Sequence, residues 1–315
     1  MSIQSRKVTS ASALMVKRDA KFQEMSEIWQ LHLGPTSTTT PIAPSPSSRI
    51  ATKIVPIYPL PHEKMNQTTQ KAADVTVEVI DNEQDFTAAF EIISKCFGEQ
   101  TNDAFWKAMN PGWDTPKGKS AGISRMVKRY QTVTKNNSGE PNTIHLKATV
   151  PDPQNAGQRV IAGFAIWAQL SMADGQGDKP STDVTTAADL EDLYPGNKSE
   201  QRFLKQCFAS FVSQRVKTLE EKASTASPAT FSLDLCVVDP SFQRRGIANK
   251  LVEWGLVEAK RRGELESTTE GSAMGRFVYQ KLGFKPVKEV VYDVDAEFQD
   301  RKLPPNLFMR TGTVA

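Results

Sequence analysis

The sequence predicts a mixed α+β domain, residues 75–315, behind a low-complexity N-terminal tail, residues 1–74. Three observations predict it. The chain changes texture at Val75, from Pro/Ser/Thr-rich to patterned. Stretches of period-2 alternation and of helical spacing then follow one another. Near the end, an apolar strand runs through a basic glycine turn into an amphipathic helix.

In the tail, seven of the 19 prolines fall between Pro35 and Pro61, amid Ser and Thr. That composition buries too little to order a chain, so the tail is expected to be disordered. Lys21–Leu33 has the spacing of a short helix. Lys/Arg outnumber Asp/Glu nine to five in 1–74, which makes the tail the basic part of the chain.

From Val75 the elements follow in order. Val75, Val77 and Val79 alternate with Thr76 and Glu78, a strand. Asp81 opens a helix with Phe86, Ala89, Phe90, Ile93 and Phe97 on one side and Gly98 at its end. Ala104 to Met109 adds a turn, and Pro111-Gly112 breaks it. A further helix runs from about Ser120 to Val133. Ile144–Val150 and the nearly all-apolar Val160–Leu170 read as hairpin partners, joined through Asn155 and Gly157. Residues 171–197 are a polar insertion. A long amphipathic helix follows, with Phe203, Leu204, Cys207, Phe208, Phe211, Val212, Val216 and Leu219. Phe231–Val238 is a buried strand holding one acid, Asp234. Asp239-Pro240 ends it, and a helix spans about Ile247 to Arg261.

Composition excludes several classes. The net charge is only +3, so global charge implies no nucleic-acid partner. Cys96, Cys207 and Cys236 form no close pair, and with only His32, His62 and His145 beside them a Cys/His metal site is not expected. No stretch reaches the roughly 20 apolar residues that cross a bilayer. A cytoplasmic or nuclear setting is the expectation; oligomeric state is not legible.

The turn Gln243-Arg244-Arg245-Gly246-Ile247-Ala248 sits where a strand feeds a helix. A helix start offers free amides and partial positive charge, which suits a pyrophosphate. Gly246 removes the Cβ that would block close approach, and Arg244 and Arg245 add charge. Taken alone, a basic turn before an ordinary helix is the better reading.

Together with Tyr279-Gln280-Lys281-Leu282-Gly283-Phe284, the turn resembles the GNAT N-acetyltransferase superfamily. The first run matches its Gln/Arg-x-x-Gly-x-Gly/Ala motif and the second its Tyr-x-x-x-Gly-Phe helix ending. The run Leu-Asp-Leu-Cys-Val-Val-Asp-Pro is most similar to fungal-type members. The resemblance covers about 75–310 in element order and 231–293 in detail. It implies a central, mostly antiparallel, splayed sheet flanked by helices, with acetyl-CoA as acyl donor. Cofactor contacts would fall on Cys236, Val237 and Val238, whose strand pairs with pantetheine, and on Gln243, Arg244, Arg245, Gly246, Ile247 and Ala248. The Val238 amide would polarise the thioester carbonyl. Ser272 stands where many members carry Asn. Tyr279 matches the position of the acid that protonates the leaving thiolate.

Three groups compete for the base. Asp234, read as sharing a strand face with Ser232 and Cys236, is expected to have a raised pKa; a structural Asp is an equal alternative. Glu270, at the end of the next strand, is another. His145 reads as a satisfied strand residue, and Cys236 as a small hydrophobe. The function implied is transfer of an acetyl group from acetyl-CoA to a primary amine, taken to be a small molecule, by direct transfer. The alternatives are a protein or histone lysine acetyltransferase and a non-catalytic acyl-CoA-binding protein.

Overall fold

The computed structural model describes residues 74–312. The tail expected to be disordered, its helix at Lys21–Leu33, His32 and His62 lie outside the described residues. One seven-stranded sheet organises the rest, in the order β1-β2-β3-β4-β5-β7-β6. The strands are β1 (Thr76–Val79), β2 (Thr143–Pro151), β3 (Arg159–Ser171), β4 (Ala229–Val238), β5 (Glu266–Gly271), β6 (Lys285–Glu289) and β7 (Leu307–Arg310). Only β4 and β5 pair in parallel; every other neighbour is antiparallel.

The helices are α1 (Asp85–Ile93), α2 (Ala104–Met109), α3 (Pro116–Gln131), a short α4 (Leu190–Leu193), α5 (Lys198–Lys222), α6 (Ile247–Arg261) and α7 (Arg276–Lys281). Two differ from their sequence reading. α1 does not end at Gly98: it passes into a π-helical turn over Ser94–Gln100, closed by Thr101 N–H on the Cys96 carbonyl at 3.0 Å. α3 starts four residues early, because Thr115 caps it through its hydroxyl to Gly118 N–H, with Pro116 in the first turn. β6 has no buried residue to announce it, and β7 is only four residues long.

Alternation sorts the side chains of the central strands onto two faces. Trp167 and Phe231 stack at 5.2 Å under Leu251 and Val252 of α6, on one side. Phe164, Ile166 and Val237 pack against Phe86 and Ile92 of α1, on the other. Leu219 of α5 packs on Ala168 and Leu170, on the same side as α1. Helices thus cover both faces, with α6 and α7 opposite α1, α3 and α5.

β5 is buried although it reads Glu-Ser-Thr-Thr. Two of its three hydroxyls are used inside the sheet: Thr268 Oγ1 meets Ser232 Oγ at 2.6 Å, and Thr269 Oγ1 donates to the Leu233 carbonyl at 3.0 Å, while Ser267 Oγ is buried without a partner. Paired this way, buried hydroxyls lose most of their desolvation cost.

Candidate active site

The site is built around an opening in the sheet. β4 pairs with β5 only from Thr230 to Leu233, whereas its pairing with β3 continues to Val238. Residues 234–238 therefore have a free edge on the β5 side. Backbone direction alternates along a ladder. Asp239 N–H donates to Ala162 on β3, so Val237 also faces β3, and Cys236 and Val238 face the opening. The Val238 carbonyl fits this placement, since it accepts from Cys96 Sγ and Gln243 Nε2, each at 3.2 Å. Of the three residues expected to meet a cofactor through their backbone, Cys236 and Val238 present groups to the free edge and Val237 does not.

At the branch point lies a β-bulge. Ile166 pairs with Leu235 and Trp167 with Leu233, which leaves Asp234 as the extra residue. The bulge breaks the alternation. Asp234 points to the α3–α5 side, while Cys236 joins Leu233 and Tyr279 on the α6 side. The expected shared face of Asp234 and Cys236 is thereby corrected.

Asp234 is also held differently from expectation. Its Oδ1 accepts from Arg215 Nη1 at 2.5 Å and its Oδ2 from Arg129 Nη2 at 2.6 Å. Burial alone would raise its pKa, but the two guanidinium groups outweigh burial and hold it below the usual carboxylate range. A raised value was expected, and the arginines are the reason for the difference. Arg215 reaches on to Glu270, donating through Nε at 3.1 Å and through Nη2. Burial pushes the Glu270 carboxyl above the usual range, against the pull of Arg215, with the charge of Asp234 adding to the rise. Glu270, Asp234, Arg215 and Arg129 form one chain of charge on the α5 side of the opening. His145 borders it, packed against the rings of Phe86, Tyr130 and Phe164. Burial pulls its pKa down to about 4, and Arg129 adds to the shift, so it is neutral and structural.

On the opposite face, Tyr279 of α7 is 6% exposed and its hydroxyl is hydrogen-bonded to the Cys236 thiol. Burial raises the phenol well above its ordinary value and pushes the Cys236 thiol up to about 12. Both groups keep their protons at neutral pH. Gly275 makes room for the phenol: a Cβ there would lie 2.9 Å from Tyr279 Oη. Ser272 Oγ accepts from Gly275 N–H at 3.1 Å, which fixes the turn into α7.

The turn between β4 and α6 fits a phosphate-bearing ligand. Arg244 and Gly246 have φ of 63° and 80°, in the left-handed region. Gly246 is the N-cap of α6 and no side chain caps that helix, so its first amides stay available. Arg244 is exposed; Arg245 lies over the Phe242 ring at 5.0 Å. Ile247 is buried and anchors the helix start, while Ala248 is partly exposed beside it. Free amides, two cations and an unpaired strand edge suit the pyrophosphate and amide-rich arm of CoA. No group of metal-ligating side chains occurs among the described residues, and none of the described helices is long and apolar enough to cross a membrane.

Sequence reasoning missed Arg215, Arg129, Cys96 and Gln100. Arg215 had a signal: it lies four residues before Leu219 and after Phe211, on the apolar stripe of α5, where a cation needs a buried acid.

A mostly antiparallel sheet splayed at one strand, with a phosphate-ready turn at that strand's end, is an arrangement suited to an acyl-CoA. Residues 215–286 match the family model described as an acetyltransferase (GNAT) domain, a span that runs from Arg215 through β4, α6 and β5 to just past Tyr279. That segment carries an acetyltransferase (GNAT) domain. No curated protein sequence matches the chain. Among solved structures it is similar to arylalkylamine N-acetyltransferase 2 from Aedes aegypti (18% identity, 75% of this chain and 98% of that one, TM-score 0.45). It is also similar to the Drosophila melanogaster polyamine N-acetyltransferase (13%, 75% and 97%, 0.43). A third is the PaiA N-acetyltransferase from Thermoplasma acidophilum in complex with coenzyme A (12%, 76% and 99%, 0.36).

Proposed function

We propose that the chain moves the acetyl group of acetyl-CoA directly onto a small primary amine, with Tyr279 as acid and Glu270 as base. The carrying observation is the free edge of β4, with the protonated Tyr279 hydroxyl beside Cys236 on it and the uncapped start of α6 at its end. Bound there, acetyl-CoA supplies an activated acyl carbon. The chain's part is to hold it by backbone pairing at Cys236 and Val238 and by the amides and cations of Gln243–Ala248. The Val238 N–H, on the free edge, would polarise the thioester carbonyl. Tyr279 keeps its proton at neutral pH and can give it to the departing sulfur.

Of the two buried carboxylates, Glu270 is the one whose basicity is increased; Asp234 is held ionised by two arginines. Glu270 therefore suits removal of the ammonium proton, and Asp234 suits positioning Arg215. A cavity lies beside the turn into α7, just past the end of β5, lined by Phe97, Asp103, Ser272, Met274, Leu303 and Pro305.

Thiol release from acetyl-CoA, measured against aryl amines, polyamines and a histone-tail peptide, tests the reading. Turnover is expected with a small amine and not with the peptide; the reverse pattern overturns it. Glu270→Gln should lower kcat on the active amine by about 10²-fold or more, with recovery as pH rises and free amine appears. A larger loss in Asp234→Asn than in Glu270→Gln reverses the assignment of the base.

A further inference from the structure

The π-helical turn Ser94–Gln100 touches the phosphate turn at three points. Lys95 Nζ binds Asp239 Oδ2 at 2.7 Å; Cys96 Sγ donates to the Val238 carbonyl; and Gln100 faces Gln243. The last contact is reciprocal. Gln100 Nε2 donates to Gln243 Oε1 at 3.2 Å, and Gln243 Nε2 donates to Gln100 Oε1 at 3.0 Å while also reaching the Val238 carbonyl. A π-turn adds a residue to a helix and re-aims the residues after it, and such turns concentrate at functional places. Here the extra residue brings an exposed glutamine from the end of α1 onto the first residue of the turn.

The turn needs such support. Arg244, next after Gln243, has φ of 63°, which costs a non-glycine residue free energy and persists only where its neighbours over-determine it. On one side Asp239 caps the turn, accepting from Ser241 N–H at 2.9 Å. On the other the hold comes from the Gln243 amide, pinned by Gln100 and Val238.

We propose that Gln100 is a positioning residue for CoA recognition: by pairing with Gln243 it holds the turn 243–246 in its phosphate-accepting form before the donor arrives. Without it, binding must itself select that form from the alternatives, and affinity falls by the fraction of time the form is absent. The proposal rests on the donor assignment above. The pair lies at the surface, so its loss costs the fold little while the donor bears the effect.

Calorimetric titration of CoA into the full chain tests it. Gln100→Ala should weaken CoA about three- to tenfold, the worth of one or two hydrogen bonds, with the melting temperature of the ligand-free protein unchanged. In kinetics the loss appears in KM for acetyl-CoA and not in kcat. Gln100→Glu can still accept from Gln243 but sets a carboxylate beside the turn. At low salt it should weaken CoA more than Gln100→Ala, and the difference should close as salt rises. Wild-type affinity in Gln100→Ala overturns the proposal. So does a loss matched by a fall in ligand-free stability, or equal losses in the two variants at low salt. Absence of CoA binding in the wild type overturns the donor assignment instead, which keeps the two failures apart.

Discussion

The two halves of β4 are neighbours in one strand with opposite duties. From Ala229 to Leu233 it is an interior strand: its hydroxyl and apolar side chains are buried, and Ser232 bonds to Thr268 across the parallel pair. From Asp234 onward it has a neighbour on one side only. The bulge at Asp234 separates the two and turns that carboxylate towards Arg215. The first half shows how a sheet satisfies polar groups internally; the second withholds that satisfaction, leaving backbone groups for a ligand. Arg215, paired with Asp234 and Glu270, ties β4 to β5 on the α5 side of the point where the strands part.

If this division is right, changes in the open half should act on rate and changes at the branch point on stability. The largest effect is expected in Tyr279→Phe. Loss of a positioned acid should lower kcat by ~10²–10⁴-fold, with CoA affinity near wild type. Pre-steady-state acetyl transfer is the measurement. A variant that melts lower yet transfers normally would place Tyr279 with the scaffold. Next comes Arg215→Ala, which strands the buried Glu270 carboxylate and leaves Asp234 with Arg129 alone. Breaking a buried charge network at one partner costs about 3–5 kcal/mol, read by denaturant unfolding. Adding Glu270→Gln to Arg215→Ala should restore part of the loss, since one stranded charge is then gone. Full stability in the single variant would show that the cluster is not what closes the branch.

The scaffold was largely legible and the site only in part. The glycine turn, Tyr279 and the strand 231–238 are local patterns, and local chemistry sets them. Asp234 was legible as an acid in an apolar strand, but its orientation was not. The bulge depends on the register with β3, and its partner Arg215 comes from a helix that sequence spacing marks only as amphipathic. The same holds for Gln100, placed by a π-turn that leaves no composition signal. β5 is unusually polar for a central strand, and what makes it fit, the partners Ser232 and Leu233 of its hydroxyls, lies 36 residues away in sequence. Residues whose role depends on a distant partner's charge or register are the ones sequence alone leaves open.

The smallest effect at neutral pH is expected in His145→Phe, and it probes the closed side of the same comparison. His145 lies on β2, 3% exposed, among Phe86, Tyr130 and Phe164, with Arg129 and Asp234 as its charged neighbours. Its folded-state pKa is drawn from 6.5 down to about 4, chiefly by burial. Between those values the unfolded chain binds a proton that the folded one does not, so this residue's contribution to stability is intact above about pH 6.5 and is lost as pH falls towards 4. Over the whole window the loss is on the order of 3 kcal/mol. Phe is of similar shape and does not titrate, so at pH 7 the variant should be within about 1.5 kcal/mol of wild type. The two stability profiles should diverge on acidification, the variant losing less. Asp234 and Glu270 titrate in both proteins, and the difference between profiles cancels them to first order. Parallel profiles from pH 7 to pH 4, measured by urea unfolding, would mean that His145 takes up its proton as readily in the fold as in the unfolded chain, with the charge of Asp234 offsetting burial. In that case the charge cluster would extend through β2 into the half of the sheet assigned here to scaffold alone.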